Sequence, residues 1–213
     1  MYGVLNFLDK YLECKGVENV ARRVFNVNYR SLSGERFLLR ETLKVVKLIL
    51  SGKNWNEIRR DIENENIFGY RSKHSINRVL TAIKARLKQA DWELLKLMLN
   101  DPYPEVINLY LMIKSNSLLM DFMKNVVLEK YILGKKYLID REIERFLKSF
   151  EYTSGWSITT LKRSGREIRN ILKKAGIIDD EMKIYRPILS DEFREYILRK
   201  EGKEFLKLFG EGT

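Results

Sequence analysis

The chain has 213 residues, of which 45% are hydrophobic, enough to bury a core without covalent or metal staples. Cys14 is the only cysteine and His74 the only histidine, which excludes an intrachain disulfide and leaves no second imidazole for a His-based metal site. The net charge of +11 favours a polyanionic partner without identifying one.

That excess is local. Residues 66–90 carry Arg71, Lys73, Arg78, Lys84, Arg86 and Lys88 and no acid; residues 157–175 carry Lys162, Arg163, Arg166, Arg169, Lys173 and Lys174 against Glu167 alone. The remainder of the chain holds equal numbers of bases and acids.

Proline is scarce and apolar residues recur every three or four positions, so the chain reads as helical almost throughout. Val4, Leu5, Leu8, Tyr11 and Leu12 share a face and predict a helix over 4–14, ended by Gly16, with a second short helix over 17–25. Ser33, Glu35 and Arg36 open a longer helix to Leu50, with Leu39, Leu43, Val46 and Leu50 inward and Gly52 as its stop. Asn54 with Glu57 three residues on is a capping-box pair, placing a helix over 55–63 with Trp55, Ile58 and Ile62 buried. After a loop containing Gly69, Ser72 caps a helix to about Ala90, buried through Ile76, Val79, Leu80, Ile83 and Leu87.

From 91 to 134 three apolar helices read as scaffold, and the break at Gly134, Lys135 and Lys136 is the expected domain boundary. Beyond it come a helix over 140–150 and a longer one over 157–175. In the second, Ile158, Leu161, Gly165, Ile168, Leu172 and Ala175 form one face, and Gly176 ends it. Residues 177–188, with a polar turn at Asp179 to Glu181, are expected to form a small β-hairpin; Ser190 then caps a last helix to Lys200, and the tail from Gly202 is expected to fray. The fold class is therefore mainly α. Residues 1–133 make a helical domain with a helix-turn-helix-like pair over 54–90, and 134–213 make a winged-helix domain.

A recognition helix buries one stripe and leaves outward cations for phosphates and amides or guanidinium groups for base edges. Two helices meet this requirement. The first offers Arg71, Lys73, His74, Asn77, Arg78, Thr81, Lys84 and Lys88; the second offers Thr159, Lys162, Arg163, Arg166, Arg169 and Lys173. With few base-reading groups, such as Asn77 and Asn170, the expected mode is phosphate contact with double-stranded DNA, weakly sequence-selective and steeply salt-dependent.

Catalysis finds no comparable support. His74 has no nucleophile or metal-ligand set patterned around it, Asp179, Asp180 and Glu181 read as a turn, and no glycine-rich phosphate loop is present, so no enzyme activity, cofactor or metal is expected. Trp55, Trp92 and Trp156 read as packing residues where helices meet. The first fifteen residues lack the basic, apolar and small-residue order of a secretory signal, and the longest apolar runs fall far short of the ~20 residues that span a bilayer. A cytoplasmic protein is expected.

Specific residues add a resemblance. Ser33, Glu35, Trp55, Ile58, Asn64 and Asn66, followed by Ser72, Ser75, Arg78, Arg86 and Leu87, resemble the N-terminal pattern of the BrxA family of bacteriophage-exclusion (BREX) systems. Trp156, Ser157, Thr160, Leu172, Ala175, Gly176 and Ile177, ending in Pro187 and Leu189, resemble its second half. The resemblance implies a NusB-like, DNA-binding subunit of a system that restricts phage DNA replication and methylates host DNA. It also implies a methyltransferase, an ATPase and a phosphatase-like protein as partners, with RNA binding or protein scaffolding as the alternative role. An older description of the family as an inner-membrane protein is not supported by apolar runs this short.

Overall fold

The computed structural model describes residues 29–32, 34–148 and 155–213. The helices expected over 4–14 and 17–25, the cap Ser33 and the cysteine Cys14 lie outside the described residues. The described helices are α1 (Leu39–Leu50), α2 (Trp55–Asn64), α3 (Lys73–Leu87), α4 (Trp92–Asn100) and α5 (Pro104–Ser115). Next come α6 (Ser117–Phe122), a π-helical turn (Met123–Val127) and α7 (Leu128–Ile132). Then follow α8 (Asp140–Lys148), α9 (Ile158–Lys174), α10 (Asp191–Lys200), α11 (Lys203–Leu206) and a closing 3₁₀ turn (Lys207–Phe209).

The core is organised around α5. Every residue from Val106 to Ile113 is buried, so this helix has no solvent face and must be enclosed by its neighbours. Tyr110 meets Phe193, Tyr196 and Phe205 edge-on, at centroid distances of 5.7, 6.2 and 5.4 Å. Its hydroxyl donates to Glu201 at 2.8 Å, and Lys114 pairs with the same carboxylate at 2.8 Å. Helix α5, from the middle of the sequence, is thus packed against the C-terminal helices α10 and α11.

Local signals act where expected at several ends. The Asn54 side chain accepts from the Asn56 and Glu57 N–H groups, while Glu57 accepts from the Asn54 N–H at 2.7 Å, completing the capping box of α2. Ser72, Ser157 and Ser190 cap α3, α9 and α10.

Three expectations are corrected. The first concerns the long helix thought to open at Ser33: it begins only at Leu39. Residues 35–38 are held non-helical because the carbonyls of Arg36 and Phe37 accept from the buried Arg86, and Leu38 sits at φ 51°.

The second is the winged helix. Among the described residues there is no β-strand; residues 177–188 contain only isolated antiparallel bridges, Ile178 to Ile184 and Tyr137 to Lys183. A ladder fails because the Asp179 carboxylate takes the N–H groups of Glu181 and Lys183, Met182 turns through φ 63°, and Pro187 has no N–H to give. The third is the tail: instead of fraying, it folds back, with Leu206, Leu208 and Phe209 buried and Arg194 held to Glu211 at 2.9 Å.

Candidate nucleic-acid interface

Helix α3 buries Ile76, Val79, Leu80, Ile83 and Leu87, the expected stripe, and thereby turns its other side to solvent. Arg71, Lys73, His74, Arg78, Thr81, Lys84 and Lys88 are exposed there, and Asn77 is half-buried. Several of these groups are already engaged. The Asn77 side-chain carbonyl accepts from Arg59 Nε and Nη2 at 3.0 and 2.7 Å, Thr81 donates to the Asn77 carbonyl at 2.8 Å, and the Lys84 ammonium lies 5.4 Å from the centre of the Trp55 ring.

Arg86 differs from every other cation of this helix. It is 2% exposed, donates to the Phe37 carbonyl at 2.9 Å and to the Arg36 carbonyl, and pairs with Glu35 at 2.9 Å. Arg86 is therefore a structural clamp and not part of a solvent-facing cation set. Its position three residues after Ile83 and seven after Val79 was the available signal.

Helix α9 buries Leu161, Gly165, Ile168, Leu172 and also Ser164 and Ile171. Gly165 sits where the two helices approach closely: a Cβ there would lie 3.3 Å from Leu147 Cδ1 and 3.5 Å from Ile143 Cγ2 of α8. Ile158, expected on the buried stripe, is 63% exposed. Thr159, Lys162, Arg163 and Arg166 are exposed, and the three cations have no ion-pair partner among the described residues. Arg169 pairs with Asp140 at 3.4 Å and Lys173 with Asp180.

Clefts connect the two helices. His74, Asn77, Arg78 and Thr81 line one of about 470 Å³, together with Arg30 and Gly34. It shares Gly34, Arg78 and Ala82 with a cleft of about 110 Å³, which shares Arg36, Leu38 and Tyr70 with one of about 570 Å³. That large cleft lies between the start of α1 and the end of α9, and through Asn170 it adjoins a fourth, of about 390 Å³, lined by Arg166, Arg169 and Lys173. Arg36 and Arg40, exposed on the large cleft, escaped sequence reasoning because they sit in a region of balanced charge; Lys174 lay in the basic window but not on the face expected to bind.

The remaining candidates are accounted for structurally. Asp179 accepts from the Lys183 N–H, the Tyr185 hydroxyl and the Glu181 N–H, and these bonds hold its carboxyl below the usual range. Burial, assisted by a hydrogen bond to Glu41, pushes the Tyr70 phenol up to about 12. Among the described residues no group of three or more His, Cys, Asp or Glu is placed to hold a metal ion, and no helix is long and apolar enough to cross a membrane. Trp55 and Trp156 are half-buried, whereas Trp92 is 50% exposed and corrects the reading of it as packing.

Fold and surface together define a helical protein with basic helix faces joined by open clefts and no apparent chemical centre among the described residues. The same chain fold occurs in the crystal structure of an uncharacterized protein from Magnetospirillum magneticum, with a TM-score of 0.71 and 20% identity, covering 85% of this chain and 98% of that one. The BREX protein BrxA of Bacillus cereus (strain H3081.97) is 26% identical over 179 residues, which is 79% of this chain and 90% of that protein. The BrxA family model matches residues 28–201, and the chain belongs to the BrxA family.

Proposed function

We propose that this chain is a non-enzymatic subunit of a BREX defence system that binds double-stranded DNA through the outward faces of α3 and α9. The observation that carries the reading is the trio Lys162, Arg163 and Arg166 on α9, exposed and without ion-pair partners among the described residues; Arg166 lines a cleft that adjoins, through two others, the one lined by Arg78 and His74 on α3. Unpaired exposed cations are available to replace counterions on phosphates without first breaking protein ion pairs. The reading puts the protein in the cytoplasm, with the DNA it would bind. Its protein partners would be other BREX components, such as the methyltransferase, the ATPase and the phosphatase-like protein.

A scaffolding role has separate support. Ile132, Leu133 and Ile139 are 62%, 56% and 53% exposed, and Ile188 is 62% exposed; the segments 131–139 and 182–188 that carry them are hydrogen-bonded together. Binding to random duplex DNA, duplex RNA and single strands, measured side by side against salt, separates the readings. Duplex DNA preferred with a steep salt slope is the expected result. Preference for RNA supports the NusB-like alternative, and binding to none of them leaves scaffolding.

A further inference from the structure

We propose that Arg36, Arg40 and Lys174 are further nucleic-acid-binding residues, and that one phosphate backbone crosses the cleft between α1 and α9, making the two basic faces a single track. The inference rests on the DNA-binding reading above and adds a path to it. Its first support is continuity: each cleft on the way from His74 to Lys173 shares at least one lining residue with the next. The second is charge. Arg36, Arg40 and Lys174 are exposed and lack ion-pair partners among the described residues, and they outnumber the two carboxylates of that cleft, Glu41 and Glu167.

The third support is the way Arg36 is presented. Its backbone carbonyl is held by Arg86, the neighbouring Phe37 carbonyl accepts from Arg86 at 2.9 Å and from Asn108 at 2.6 Å, and Leu38 then takes a left-handed conformation at φ 51°. A residue with a β-carbon is strained in that conformation, and surrounding contacts must offset the strain. The clamp and the turn fix where Arg36 leaves the core, at the junction of two clefts. Tyr70 donates to Glu41 at 2.7 Å and holds one oxygen of that carboxylate at the cleft.

The test uses the full chain and a random DNA duplex. The triple variant Arg36→Ala, Arg40→Ala, Lys174→Ala is expected to flatten the plot of log affinity against log salt by about two to three units, one for each lost phosphate contact. Glu41→Gln, which keeps a hydrogen-bond acceptor for Tyr70, is expected to tighten binding about threefold by removing a repulsive charge from the path. That gain cannot come from misfolding. If wild type binds duplex and loses affinity when Lys162, Arg163 and Arg166 are replaced by alanine, yet both cleft variants bind like wild type, the track is overturned and the DNA-binding reading stands. If wild type binds no duplex, both fail.

Discussion

Helices α3 and α9 carry the same number of basic residues in their sequence windows but use them differently. In α3, Arg86 lies within the buried stripe and clamps the chain before α1, Lys84 rests on Trp55, and the Asn77 amide is held by Arg59. In α9, Lys162, Arg163, Arg166 and Lys174 are unpaired among the described residues, while Arg169 and Lys173 are matched by Asp140 and Asp180. Counting charge cannot separate these cases. What separates them is the angle of each residue to the apolar stripe and the presence of an acid on the facing segment.

The largest effect should come from the arginine that serves the core. Arg86→Ala leaves Glu35 and the Arg36 carbonyl without their buried donor and should cost about 3 kcal/mol in denaturant unfolding, whereas Arg163→Ala should stay within about 0.5 kcal/mol. Equal losses for the two would break the contrast. Gly165→Leu forces a side chain against Leu147 and Ile143 and should cost about 1–3 kcal/mol; a neutral outcome would mean that α8 and α9 are more loosely packed than the structure gives.

Helix termini should behave alike. Ser72→Ala and Ser157→Ala each remove an acceptor for a first-turn N–H at 3.2 Å, and each should lower the melting temperature by the equivalent of about 1 kcal/mol. A large difference between them would place one helix end under tertiary control.

The smallest effect concerns the turn behind α9. The Asp179 carboxyl is held below its usual range by the Lys183 N–H and the groups that join it, so its contribution is present above the unfolded value of about 4 and is lost as pH falls through the lowered folded value. Unfolding followed from pH 7 down to pH 2 should therefore show a shallower acid loss in Asp179→Asn than in wild type. Identical profiles would remove Asp179 from the account.

Much of the helical layout was legible in the sequence because its determinants are local: capping side chains and apolar spacing fixed the starts of α2, α3 and α10 to the residue and that of α9 to within one residue. The failures are tertiary. The start of α1 is set by Arg86, nearly fifty residues downstream, and pairing within residues 177–188 stays at isolated bridges because the Asp179 carboxylate captures the Lys183 N–H. The tail from Gly202 is ordered by aromatic packing on Tyr110 and by Arg194, neither visible in its own few residues. For the interface, the outward faces followed from the helical period, but the cleft linking them through Arg36 and Arg40 depends on how α1 meets α9.

On the proposed function, the α9 cations that lack ion-pair partners among the described residues contact phosphates. Affinity for a random DNA duplex measured from 50 to 200 mM salt, for wild type and for the variant Lys162→Ala, Arg163→Ala, Arg166→Ala, tests it most directly. Weaker binding to all sequences is expected, with a log–log salt slope flatter by about three units and an unchanged melting temperature. Wild-type affinity and slope in that variant would show that the α9 face is only solvated surface.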